Sequence, residues 1–169
     1  IMESRDPLIK INSPKQRERR HENTMLTVKQ FLSLIPFREM KVLAGEKGLD
    51  HPITSVNIMD NPDALDWFSP GEMLVTSGYF FKDSEDIQRK VMKQLKTLNC
   101  PALCIKPKRY FGEIPTCILS LGDALNIPVI EIPYGLSFAK ITALVMAETQ
   151  ETYDENNRKS LEIHEEFLR

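Results

Sequence analysis

The amino-acid sequence predicts an α/β fold: a mostly parallel sheet with flanking helices, plus a long C-terminal helix leaving the domain. Short apolar runs bounded by Gly, Pro and Asn alternate with helical stripes through the second half of the chain. The connections between them are short, which favours parallel pairing through crossovers. The closing stretch, 137–169, holds neither Gly nor Pro, so one helix can occupy all of it.

Taken in order, residues 1–24 have two prolines, a charged cluster from Lys15 to Glu22 and no sustained periodicity. They read as a flexible tail or an appended segment, with Met25 a candidate natural start. Arg17, Arg19 and Arg20 suggest a nucleic-acid arm, but Glu18 and Glu22 dilute the charge and favour a solvated tail. Thr27 suits the N-cap of a short helix carrying Val28, Phe31, Leu32 and Ile35, closed by Pro36. Lys41–Ala44 reads as a strand ended by Gly45, and Ile53–Met59, rich in β-branched residues, as a second. Asn61-Pro62-Asp63 turns the chain into a short helical segment, Ala64–Phe68. Ser69-Pro70-Gly71 breaks that segment before a buried strand at Glu72–Thr76.

Ser84 or Asp83 caps a helix reaching about Asn99, with Ile87, Val91, Leu95 and Leu98 expected on its inner face. Ala102–Ile105 is a short apolar strand. Pro115 fits the first turn of a helix striped by Ile114, Ile118, Leu121 and Leu125, and Val129–Ile132 is the last strand. In the final helix Phe138, Ile141, Leu144, Val145 and Met146 can pack on the body. Residues 148–160 are almost entirely polar, with Tyr153 the exception, before Leu161, Ile163, Phe167 and Leu168 restore an apolar side. At ~1.5 Å per residue such a helix outruns a domain of this size, so it is expected to need a partner.

Bulk properties narrow the function classes. A chain of 169 residues suits one domain, and 41% hydrophobic residues allow a real core. A net charge of −2 excludes nucleic-acid binding by bulk electrostatics. No apolar run approaches the roughly 20 residues needed to cross a bilayer, and no signal peptide opens the chain, so a cytoplasmic location is expected. Cys100, Cys104 and Cys117 form no CxxC pair, and His21, His51 and His164 are scattered. Buried reduced thiols are expected, with no disulfide framework, metal or cofactor.

No catalytic device assembles. The chain lacks GxGxxG, GxxxxGK[ST] and GxSxG, and Ser69-Pro70-Gly71 and Thr76-Ser77-Gly78 read as turns at strand ends. Asp60, Asp63 and Asp66 lack the pattern of a calcium loop, and capping or turn roles are favoured. Lys106, Lys108 and Arg109 stand beside Tyr110 and Phe111 just after a strand. That position suits an anionic or planar ligand, though a solvated loop is the simpler reading. Trp67 is either a ligand platform or a core cover, with the cover favoured.

The run Asp60–Gly78, DNPDALDWFSPGEMLVTSG, resembles a signature of the PucR-type N-terminal domain, the purine catabolism regulatory protein-like domain. Supporting pieces lie in order: Leu26-Thr27-Val28, Gly48-Leu49-Asp50, Ile105-Lys106 through Arg109-Tyr110, Ile114-Pro115, Ala124 to Pro133, and Phe138. Ser77 stands where that family more often has Thr, and Asn99-Cys100-Pro101-Ala102 where a glycine-rich dipeptide is usual. The resemblance implies a non-catalytic N-terminal domain of a bacterial transcription regulator, with a helix-turn-helix DNA-binding part further along the full protein. A purine-pathway or other catabolite is the implied signal. The sheet also looks similar to the N-terminal domains of Mur ligases and HPr kinases, as fold-level analogy alone.

On this reading the chain divides into 1–24, a domain at 25–140 and a connecting or dimerisation helix at 141–169. The ligand residues expected are Asp60, Trp67, Glu72, Thr76, Lys106, Arg109 and Tyr110. Ile141, Leu144, Val145, Tyr153, Leu161 and Leu168 are expected to carry signalling or homodimer contacts. A dimerisation module with no small-molecule ligand is the rival reading.

Overall fold

The computed structural model describes residues 25–107, 112–150 and 158. All the strands expected are present: β1 (Lys41–Ala44), β2 (Ser55–Ile58), β3 (Glu72–Thr76), β4 (Leu103–Ile105) and β5 (Val129–Glu131). They form one five-stranded sheet of order β1-β5-β4-β3-β2. Pairings β2–β3, β3–β4 and β4–β5 are parallel, and β1 closes the far edge antiparallel to β5.

Side chains alternate across the sheet as a pleat requires. Leu74, Leu103, Ile105 and Val129 face one core, and Met73, Val75, Cys104 and Ile130 the other. With both faces buried, β3, β4 and β5 read as continuous apolar runs, whereas the edge strands β1 and β2 keep exposed or half-buried positions. The first core is covered by α2 (Glu85–Thr97) and α3 (Thr116–Leu125), the second by α1 (Val28–Ser33) and by α4, which covers 138–150 of the described residues.

Local chemistry sets the helix starts. Thr27 Oγ1 accepts from the Gln30 N–H (3.2 Å) while Gln30 Oε1 accepts from the Thr27 N–H (3.0 Å), a reciprocal cap on α1. Ser84 caps α2 by accepting from the Ile87 N–H. The inner face of α2 is rotated from the expected one. Gln88, Val91, Met92 and Leu95 are buried, whereas Ile87 is exposed and Leu98 only half-buried. The buried Gln88 is satisfied by donating to the Phe81 carbonyl at 2.9 Å, so a polar residue sits inward at no unpaired cost. Asn99 takes the left-handed conformation (φ 51°) after α2, the role a glycine would fill there.

At the end of β1, Gly45 (φ 71°) passes so close to the α3–β5 connection that a Cβ would lie 2.1 Å from the Ile127 carbonyl oxygen. Its N–H donates to Asp123 Oδ1 at 2.7 Å. On α4, Ile141 and Val145 are fully buried, Phe138 and Leu144 half-buried, and Met146 is exposed, unlike the inward position expected of it. The core therefore includes residues on both sides of position 140. Residues 1–24, Tyr153, Leu161 and Leu168 lie outside the described residues.

Candidate functional site

Parallel strands bring their carboxyl ends to one edge, where open α/β sheets usually bind ligands. Here β2, β3 and β4 deliver Asp60, Thr76-Ser77 and Lys106 side by side. Asp60 Oδ1 accepts from Thr76 Oγ1 (3.1 Å), the Ser77 N–H (3.0 Å) and Ser77 Oγ (2.6 Å). Thr76 Oγ1 in turn accepts from the Gly78 N–H at 3.0 Å. The next strand joins through the Lys106 N–H, which donates to the Thr76 carbonyl at 3.1 Å.

Two of these groups are already occupied. Thr76 is fully buried, and its hydroxyl serves Asp60 and Gly78. The Lys106 ammonium donates to the Leu136 carbonyl and lies 5.0 Å from the centre of the Phe138 ring. Partial burial pushes its pKa down. Asp60 is exposed, so this edge presents a carboxylate to solvent.

The other expected ligand residues lie elsewhere. Glu72 opens β3 at the amino edge, roughly 13 Å along the strand from Thr76. Its carboxylate accepts from the Ser69 N–H (2.9 Å), Asn57 Nδ2 (3.0 Å) and Ser55 Oγ (3.4 Å). These contacts make it a clip holding the Ser69–Gly71 turn to β2. Trp67, at 85% exposed, covers no core; Leu65 and Phe68 on either side are the inward residues of that crossover. Arg109 and Tyr110 lie outside the described residues, as do Lys108 and Phe111.

The sequence gives no signal that Ser77 partners Asp60 beyond the turn at Thr76-Ser77-Gly78. It also gives no signal for the tie from Lys106 to Leu136 and Phe138, a contact 30 residues apart. Of the acidic series, Asp60 serves the distant Thr76 and Ser77 rather than a local cap, and it is Asn61 that caps the 3-10 turn Pro62–Trp67 by accepting from the Asp63 N–H.

Two hollows lie at the opposite, amino edge. One, of about 370 Å³, is lined by Leu43 to Lys47 with Asp123 and Asn126. The other, of about 310 Å³, lies among His51, Thr54, Lys96, Asn99 and Cys100. Cys100 and Cys104 are buried free thiols, and Cys117 is half-buried. Burial pushes Cys100 up to about 12 and raises Cys104 as well, so neither is an activated nucleophile. Among the described residues no group of His, Cys, Asp and Glu gathers to hold a metal ion, and no helix is long and apolar enough to cross a membrane.

Residues 30–148 match the model of the purine catabolism regulatory protein-like family. The chain belongs to this family. A curated relative, the purine catabolism regulatory protein of Bacillus subtilis (strain 168), is 27% identical over 142 residues, covering 84% of this chain. The chain spans only 27% of that relative's length. Among solved structures, the CBS and DRTGG domains of the regulatory region of Clostridium perfringens pyrophosphatase, solved with the activator diadenosine tetraphosphate, align at a TM-score of 0.46 and 18% identity. That likeness covers 79% of this chain and 56% of the other, and is too loose to carry weight. The names of the family and of the curated relative describe regulators rather than enzymes, and the matched span takes in the whole sheet, most of both cores and the carboxyl edge.

Proposed function

We propose that this chain is the N-terminal ligand-sensing domain of a transcription regulator. It would sense a small purine-pathway or other catabolite and pass the signal through α4 to a helix-turn-helix DNA-binding part elsewhere in a longer, cytoplasmic protein. The observation that carries this reading is the carboxyl edge. It sets an exposed carboxylate, Asp60, and an ammonium, Lys106, on the strand ends either side of β3, with the start of α4 against Lys106. A ligand there acts only by favouring one arrangement of α4 over another. The domain itself does no chemistry.

The test is a thermal-shift screen of purine-pathway metabolites against wild type and Arg109→Ala. A ligand at 100 times its Kd stabilises by about 2.7 kcal/mol, readily seen as a raised Tm. A metabolite that raises the Tm of wild type, and less so of Arg109→Ala, supports sensing. No response to any of them removes it.

A second reading, a homodimerisation module without a ligand, is favoured by the outer side of α4. Ala139, Ala143, Met146 and Ala147 are all exposed there, at helical spacing. Light scattering of chains ending at residue 145 and at residue 169 separates the two. A dimer lost with the terminal segment, together with no ligand response, leaves the module reading standing alone.

A further inference from the structure

Lys106 stands where the sheet meets the last helix. Its N–H is bonded to the end of β3, while its ammonium reaches Leu136 and Phe138. Those two residues flank Ser137, whose hydroxyl accepts from the Lys140 N–H at 3.2 Å and so caps α4. A single side chain rooted at the carboxyl end of β4 thus grips both sides of the helix cap. Between buried Leu136 and buried Ile141, Ser137, Ala139 and Lys140 are exposed, and Phe138 is half-buried against the second core. Partial burial disfavours the ammonium, so the position is held by its two contacts, the carbonyl and the ring face.

We propose that Lys106 is a positioning latch: it couples the carboxyl edge of the sheet to the first turn of α4, and its withdrawal frees that turn. What would withdraw it rests on the proposed sensing function, since a ligand beside Asp60 that draws the ammonium to itself takes it from Leu136 and Phe138. The hold on the helix start does not depend on that reading.

Hydrogen exchange on the whole chain tests the latch in wild type, Lys106→Met and Lys106→Arg. Lys106→Met is expected to speed exchange of amides 138–142 about tenfold, the loss of one charged hydrogen bond and one cation–ring contact. Strands β3 and β4 stay protected, and Lys106→Arg restores most of the protection because the cation is kept. Unchanged exchange in Lys106→Met overturns the latch. So does an equal rise across β3 and β4, which would make Lys106 a general core support. So too does an arginine variant that behaves like methionine. If the local effect is found but no metabolite shifts the Tm, the latch stands and the sensing reading falls. If a metabolite binds and leaves exchange at 138–142 unchanged, the release step falls while sensing stands.

Discussion

Asp60 has a structural duty that precedes any ligand role, because one oxygen gathers three donors from Thr76 and Ser77. Asp60→Ala is expected to cost about 1–2 kcal/mol, read as a lower urea midpoint, and Asp60→Asn less, since an acceptor remains. The cysteines set the alkaline behaviour. Cys100 is raised from 9.0 to about 12 by burial, and Cys104 is raised by the same cause. Above pH 9 the unfolded chain gives up thiol protons that the folded chain retains, so the native state binds more protons and stability falls as pH rises. The contribution is fully present below pH 9 and lost between 9.0 and about 12. Urea titrations from pH 8 to 10.5 should show a fall that is shallower in Cys100→Ala than in wild type. Alkylation of the native protein should reach the half-buried Cys117 first.

At the scale of elements, the signature run Asp60–Gly78 is a crossover fastened at both ends. Glu72 ties its amino side to Ser69 and Asn57, and Asp60 ties its carboxyl side to Thr76 and Ser77. Its residue types are therefore explained largely by closure of the β2–β3 connection, with Trp67 a large aromatic side chain left exposed outside both cores. The turn after β1 is equally demanding. Gly45→Ala places a Cβ against the Ile127 carbonyl in a left-handed backbone, and should destabilise by roughly 3 kcal/mol or more. Gly112→Ala meets nothing within 4 Å and should be near neutral in the same thermal melt. Replacing Thr27 with Ala removes the reciprocal cap on α1 and is expected to cost about 1 kcal/mol.

For the whole molecule, α4 belongs to the body before it belongs to any connection. Ile141 and Val145 lie fully buried in the same core as Val75, Cys104 and Ile130. A chain ending at residue 137 should expose that face and bind a hydrophobic dye such as ANS. A chain ending at residue 150 should keep the cooperative melt, which circular dichroism would show.

The inner strands β3, β4 and β5 were legible in the sequence because apolar runs bounded by Gly, Pro and Asn report burial on both faces, a property of the run itself, and the edge strand β2 through its β-branched residues. The turns and caps at Thr27, Ser84 and Asn61-Pro62 were legible for the same local reason. Three things were decided only by tertiary structure. The rotation of α2 followed from the Phe81 carbonyl, which gave Gln88 a buried partner and left Ile87 outside. Strand order set β1 and β2, neighbours in sequence, at opposite edges of the sheet. That same order, by pairing β4 with β5, brought Lys106 to the start of α4. Local composition records what each segment buries, whereas the assembly of a site depends on contacts between distant segments that no periodicity encodes.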